Sequence, residues 1–217
     1  MHGPLLLGHR GARASASVAE NTLASFALAL EHGCDGFEFD VRLSGSGRAV
    51  ISHDDKVHGL TLSRTTRDDE LRLPVLGQVL EAYAGRAFLD IELKVPGLES
   101  ELVRSLQKHP PERGYVVSSF LPSVLLSLHA LNGAIPLGIL CEQRKELEPW
   151  RDLPVNYVMP HHSLINKKLV EELSSADKTI FAWTVNDKDS MLRLWEWGVH
   201  GIISDDTQLL ARTFSHH

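Results

Sequence analysis

Residues 36–55 read GFEFDVRLSGSGRAVISHDD. Glu38 and Asp40 stand two apart inside an apolar run. On a strand, residues two apart share a face, so both carboxylates point the same way. Burying like charges together is costly unless something compensates. A Gly/Ser turn, SGSG (44–47), follows, and a second apolar run, AVISHD (49–54), ends in His53 and Asp54. So short a turn cannot make a parallel crossover, which takes a dozen residues or more. The stretch is therefore a strand with a hairpin grown on its end. Folding it about residues 45–46 sets His53 opposite Glu38.

Seven more apolar runs flank it: LLLGH (5–9), AFLDIEL (87–93), YVVSSF (115–120), PLGIL (136–140), NYVMP (156–160), IFAWTV (180–185) and GIISD (201–205). They are mostly continuous rather than alternating, as strands covered on both faces are. Segments of helical character lie between them. NTLASFALALEHG (21–33) carries Leu23, Phe26, Ala27 and Leu30 at helical spacing and stops at Gly33; PVLGQVLEAYAG (74–85) opens with Pro74; DKDSMLRLWEWGV (187–199) starts at the cap candidate Asp187. Eight strand–helix units imply parallel pairing and a single-domain (β/α)8 barrel over residues 1–217, with the hairpin and a short insertion after the second strand. An open doubly wound sheet is the alternative. Residues 54–73 are polar and irregular, and read as a loop over the barrel mouth.

The chain has 217 residues, 43% hydrophobic and 23% charged, with a net charge of −6. That suits a soluble α/β domain of this size and excludes a basic nucleic-acid footprint. Cys34 and Cys141 lie far apart, against a disulfide framework or zinc ribbon. The N-terminus does not read as a signal peptide, and no apolar run approaches the roughly 20 residues of a membrane span. The expectation is a cytoplasmic monomer or homodimer. The closing FSHH (214–217) enters no argument.

In barrels of this kind, chemistry gathers at the C-terminal strand ends. The acids falling there are Glu38, Asp40 and Glu92: three hard oxygen donors, half a shell for one divalent cation, Mg2+ or Ca2+. Zinc would draw more His or Cys. The ordinary alternative is that Glu38 and Asp40 are buried as salt bridges with Arg10, Arg42 or Lys94. Asp90 shares the parity of Glu92 but sits deeper, as a support. His9 and His53 are the histidines beside these acids and suit general acid–base work. Arg10 and Lys94 either neutralise the acids or bind a phosphoryl oxygen. Glu20 is placed to orient a His or approach the metal, Asn21 reads as a helix N-cap, and Trp183 is either a pocket wall or barrel core. Acids, cations and two imidazoles together imply phosphoryl chemistry.

The ordered set GHRGA (8–12), AENT (19–22), FEFDV (37–41), SHDD (52–55), SRTT (63–66), IELK (91–94), AWTVND (182–187) and GVHGIISDD (198–206) resembles the glycerophosphodiester phosphodiesterase family over nearly the whole chain. The resemblance implies a phospholipase-C-like barrel that hydrolyses a small-molecule glycerophosphodiester to glycerol 3-phosphate and an alcohol, through a cyclic phosphate. Carried over by position, His9 and His53 are the acid–base pair. Glu38, Asp40 and Glu92 bind the divalent ion, Arg10 and Lys94 hold the phosphate, and Glu20 and Asn21 lie near the site. The chain departs from the family pattern in a longer loop from His9 to Glu20, in Ala19 before Glu-Asn-Thr where proline is usual, and in Thr207 where proline is common. Two rivals remain: a phospholipase-D-like enzyme acting on lysolipids or sphingolipids, which needs an acyl groove, and a non-catalytic phosphate-binding barrel.

Overall fold

The computed structural model describes residues 3–66 and 71–215. All eight expected parallel strands are present: β1 (Leu5–Gly8), β2 (Gly36–Leu43), β6 (Phe88–Leu93), β7 (Tyr115–Ser119), β8 (Leu137–Cys141), β9 (Tyr157–Pro160), β10 (Thr179–Ala182) and β11 (Gly201–Ser204). Each pairs in parallel with the next, and β1 pairs with both β11 and β2. The sheet therefore closes on itself as a TIM barrel. The gap in numbering belongs to an antiparallel arm after β2, made of β3 (Ala49–Ile51) and the two-residue strands β4 (Lys56–Val57) and β5 (Leu60–Thr61).

Among the described residues, seven α-helices wrap the barrel: α1 (Leu23–Glu31), α2 (Leu76–Tyr83), α3 (Glu99–Lys108), α4 (Pro122–Leu131), α5 (Lys167–Ser175), α6 (Lys188–Glu196) and α7 (Thr207–Phe214). The β8–β9 crossover carries short 3-10 turns at Arg144–Glu146 and Glu148–Arg151. Asp187 caps α6 as the sequence suggests, its side chain accepting the Ser190 N–H. The cap of α1 is Thr22, not Asn21: the Thr22 hydroxyl accepts from Ser25 N, and Asn21 is buried with another task. Helix α2 starts at Leu76, later than expected, because Pro74 and Val75 still belong to the sheet edge. Ile51 N donates to Pro74 O, and Val75 bridges Val50.

Two cores follow from strand parity. Outward residues of β2, Phe37, Phe39 and Val41, are fully buried under the helices. There Phe26 of α1 stacks on Phe37 at 4.2 Å, and the Tyr83 ring meets Phe37 edge-on at 5.1 Å. Inward residues Leu7, Phe88, Val116, Leu140, Met159, Phe181 and Ile203 fill the barrel itself. Glycine makes room for this filling. A side chain at Gly201 would strike the Phe181 ring, and one at Gly36 would run into the Phe88 backbone across the β2–β6 pair.

The hairpin is real, with a shifted register. Val41 pairs with Ile51 and Leu43 with Ala49, so regular pairing ends before His53. The chain turns through Ser44–Arg48, one position later in sum than expected, and Ser52 rather than His53 continues the ladder, donating to Asp40 O at 3.0 Å. His53 thus leaves the strand and swings free of it. The insertion that follows is less irregular than its composition suggests. Leu62 and Leu71 are buried against Val50 as a separate apolar cluster. Its described residues beyond His53 pack beside the arm and do not line the main cavity. Residues 67–70 of that segment, and His216 and His217 of the tail, lie outside the described residues. No described helix is long and apolar enough to cross a membrane.

Two glycines give opposite expectations. Gly36→Ala forces the β2–β6 pair apart and should destabilise by about 1–3 kcal/mol. Gly77→Ala, in α2 with nothing within 4 Å of a new methyl, should stabilise by about 0.5 kcal/mol. Thermal melts of both variants check the pair.

Candidate active site

Strand β2 sends Glu38 and Asp40 inward, and β6 sends Asp90 and Glu92 to meet them. The register pairs Glu38 with Asp90 and Asp40 with Glu92. All four carboxylates are buried. One oxygen each from Glu38, Asp40 and Glu92 lies within 4.8 Å of the others. Buried like charges at this spacing cannot all stay ionised unaided. Burial, reinforced by the charges of Asp40 and Glu92, pushes Glu38 well above the usual carboxylate range. Burial and the Asp40 charge push Glu92 up to about 8, against the pull of Lys94. Burial would raise Asp40 too, but Lys94 and Arg10 outweigh it and hold Asp40 low.

The cations complete this arrangement. Lys94 Nζ lies 3.2 Å from Asp40 Oδ1 and 2.8 Å from Glu92 Oε1. Arg10 Nε approaches Asp40 Oδ2 at 3.3 Å without hydrogen-bond alignment, and that Nε–H has no hydrogen-bond partner. Arg10 Nη1 donates to Glu20 at 2.8 Å. Salt bridging, the ordinary alternative for Glu38 and Asp40, is thus real for Asp40, and Glu92 shares Lys94 with it. It leaves Glu38 Oε1 buried with no hydrogen-bond partner. An orphaned carboxylate oxygen facing two further hard oxygens fits a divalent cation, which would let all three acids ionise.

The loop after β1 is shaped around these groups. Arg10 and Asn21 both have left-handed backbones, with φ of 53° and 56°. Such angles are uncommon outside glycine and need support. The Arg10 carbonyl accepts from Ser25 Oγ at 2.8 Å and from Asn21 N at 3.0 Å, while Arg10 N donates to Glu38 Oε2 at 3.0 Å. Asn21 Nδ2 donates to Asp40 Oδ2 at 2.7 Å. Asn21 therefore positions a carboxylate. Glu20 does not reach the acids: it bridges Arg10 and Arg13, whose Nε lies 2.7 Å away.

The two imidazoles reach the site by different routes. His9 follows β1, with Nε2 3.9 Å from Glu38 Oε2. Its Nδ1 meets Asp205 Oδ1 at 2.7 Å. Asp205 is itself held by Asn186 Nδ2 at 2.7 Å and by Arg13 at 3.1 Å. Burial would raise the Asp205 carboxyl, but the His9, Asn186 and Arg13 contacts outweigh it and hold it far below the usual range. Such a pair fixes the ring and keeps Nδ1 protonated. His53, beyond the hairpin, has Nδ1 2.8 Å from Asp54, and its backbone carbonyl accepts from Arg42 Nε at 2.7 Å. Burial lowers its pKa, although Asp40 and Asp54 pull the other way.

Sequence reasoning missed Asp205 as a partner of His9. The parity that selects Glu38 and Asp40 also selects it, two residues past the inward Ile203. Asp90 is deep, as expected. It accepts the Ser118 hydroxyl at 2.6 Å, and burial pushes it up to about 7. Trp183 is pocket wall rather than closed core, with Nε1–H donating to Met159 O at 2.7 Å. His9, Arg10, Glu38, His53, Glu92 and Lys94 line one side of a cavity of about 320 Å3, and Phe120, Leu140, Glu142, Trp183 and Ile203 line the other. The wall thus offers carboxylates, two cationic side chains and two imidazoles to the same space.

Comparison with known proteins agrees. The pattern of the glycerophosphoryl diester phosphodiesterase family matches residues 9–109 and 90–209. A glycerophosphodiester phosphodiesterase of Caldanaerobacter subterraneus subsp. tengcongensis is 30% identical over 95% of this chain and 96% of its own. An Oleispira antarctica phosphodiesterase, solved in complex with the product sn-glycerol-3-phosphate, superposes with TM-score 0.84 at 27% identity, over 98% of this chain and 97% of that one. The Thermotoga maritima glycerophosphodiester phosphodiesterase shares the fold, with TM-score 0.81 at 24% identity over 98% and 99% of the two chains. The chain belongs to the glycerophosphoryl diester phosphodiesterase family, and it is a phosphoric diester hydrolase.

Proposed function

We propose that this enzyme hydrolyses glycerophosphodiesters to sn-glycerol 3-phosphate and an alcohol, with His9 and His53 as its acid–base pair. The carrying observation is that both imidazoles line one cavity with the buried acids and with Arg10 and Lys94. The product bound to the Oleispira antarctica relative supports the substrate class. Glu38, Asp40 and Glu92 would hold one divalent cation, Mg2+ or Ca2+. When bound, that ion supplies positive charge to the phosphoryl oxygens.

The chain's own groups do the rest. One imidazole takes the proton of the glycerol 2-hydroxyl, whose oxygen attacks phosphorus. The other gives a proton to the departing alcohol oxygen as its bond to phosphorus breaks. A cyclic phosphate results, spanning two neighbouring glycerol oxygens. Water then opens it with the proton transfers reversed. Arg10 and Lys94, both in the cavity wall, hold the phosphoryl oxygens and stabilise charge as it builds. Asp205 orients the His9 ring through Nδ1. Asn21 and Glu20 support by fixing Asp40 and Arg10, and Trp183 walls the alcohol side.

The phospholipase-D-like rival needs an acyl groove. The apolar wall of this cavity carries charged Glu142 among its lining residues, which favours a small polar alcohol.

His9→Ala and His53→Ala should each cut glycerol 3-phosphate release by about 10²- to 10⁴-fold while leaving circular dichroism unchanged. Wild-type rates in either variant would remove that histidine from the chemistry. EDTA should stop turnover, with Mg2+ or Ca2+ restoring it. The ion should also raise the melting temperature of the wild type, and do so less in Glu38→Gln; a melt indifferent to both ions would leave the three acids without a cation. Asp205 gives a pH signature. Its folded pKa lies below its ordinary value of 3.8, so its stabilisation is present above that value and lost as pH falls through the folded one. Asp205→Asn should therefore cost about 1 kcal/mol near pH 7, with the gap to wild type closing under acid, as read from melts across pH.

A further inference from the structure

The side of the cavity away from the histidines and acids is built for a charge of the opposite sign. Phe120 lies one residue past β7, Leu140 is in β8, Glu142 is the residue after β8, Trp183 is one past β10 and Ile203 is in β11. Glu142 is the only charged group among these five, and among the described residues no hydrogen bond or ion pair engages its carboxylate. Arg144 and Lys145 follow it on an exposed 3-10 turn and do not line the cavity. The position of Glu142 is nonetheless fixed: its N–H and that of Gln143 both donate to Glu146 Oε2, at 2.9 and 3.0 Å.

The rings beside it are fixed too. Trp183 is tethered to Met159 O through Nε1–H, meets Phe120 edge-on at 5.5 Å and meets His161 edge-on at 5.3 Å. The Phe120 ring already carries one cation, Lys94 Nζ, 5.8 Å from its centroid. Lys94 pairs with Asp40 and Glu92, and among the described residues no ion pair joins it to Glu142. A second cation entering the cavity meets an unpaired carboxylate and a rigid indole.

We propose that Glu142 and Trp183 form a subsite for a cationic alcohol, an amino-alcohol or quaternary ammonium head group, and that Glu142 sets head-group preference. The inference rests on the phosphodiesterase reading above. With the phosphoryl group held by Arg10 and Lys94, the leaving alcohol extends across to the Trp183 side. A positive group there gains from the carboxylate and the aromatic face. A polyol gains neither, and an anionic head group is repelled.

The test compares kcat/KM for glycerophosphoethanolamine and glycerophosphocholine with that for the uncharged-head-group substrate glycerophosphoglycerol. The wild type should favour the cationic pair by about three- to tenfold, the scale of one exposed charge contact plus one cation–aromatic contact. Glu142→Gln should lower that ratio at least about threefold, and Glu142→Lys should invert it. The wild-type ratio should also shrink as salt rises, because Glu142 is exposed. A ratio unchanged in both variants, with all three substrates still turned over, overturns the subsite and leaves the phosphodiesterase reading standing. Failure of the wild type to release glycerol 3-phosphate from any of the three overturns both.

Discussion

Four buried carboxylates in two facing pairs are the constraint around which this protein is arranged. The β2–β6 register sets Glu38 beside Asp90 and Asp40 beside Glu92. Nothing about barrel stability calls for that concentration of like charge, and the neighbouring structure is organised to make it tolerable. Asp40 stays ionised because Lys94, Arg10 and Asn21 converge on it. Glu92 and Asp90 are pushed upward by burial instead. Glu38 and Asp90 each keep one buried oxygen unbonded, and at Glu38, clustered with Asp40 and Glu92, a cation of higher charge has its clearest place.

The supports for this cluster come from elements distant in sequence. The loop after β1 accepts two left-handed residues, Arg10 and Asn21, in order to present a guanidinium and an amide to Asp40. Uncommon backbone angles cost free energy, and they persist here because Ser25, Asn21 and Glu38 all bond the Arg10 backbone. Asp205 arrives from the last strand to hold His9, nearly 200 residues away along the chain. Barrel closure is what makes this possible: β11 lies against β1 only because the sheet is a cylinder. The histidine, its orienting acid and the carboxylate cluster are therefore consequences of one topological fact.

Much of this was legible before any coordinates. Continuous Val/Ile/Leu/Phe runs located every barrel strand, because residues covered on both faces carry that composition. Parity then picked Glu38, Asp40 and Glu92 for the interior. What escaped was anything decided by a shift of one residue or by a loop path. The hairpin register hinges on how the chain turns through Ser44–Arg48, and alternation of apolar residues does not fix it. Asn21 looks like a cap by type, yet Thr22 does that work, because Asn21 is needed at Asp40. Leu62 and Leu71 are isolated apolar residues in a polar segment, so their shared contact with Val50 had no periodic signal. The partner of His9 was visible only to someone who had already closed the barrel.

The apolar filling of the barrel has a kinetic meaning. Leu7, Phe88, Val116, Met159, Phe181 and Ile203 lie buried together inside the barrel, an apolar plug beneath the acids. The acids are therefore approached from the cavity at the strand ends. A group leaving the cavity and one replacing it share that end of the barrel, so entry waits on departure.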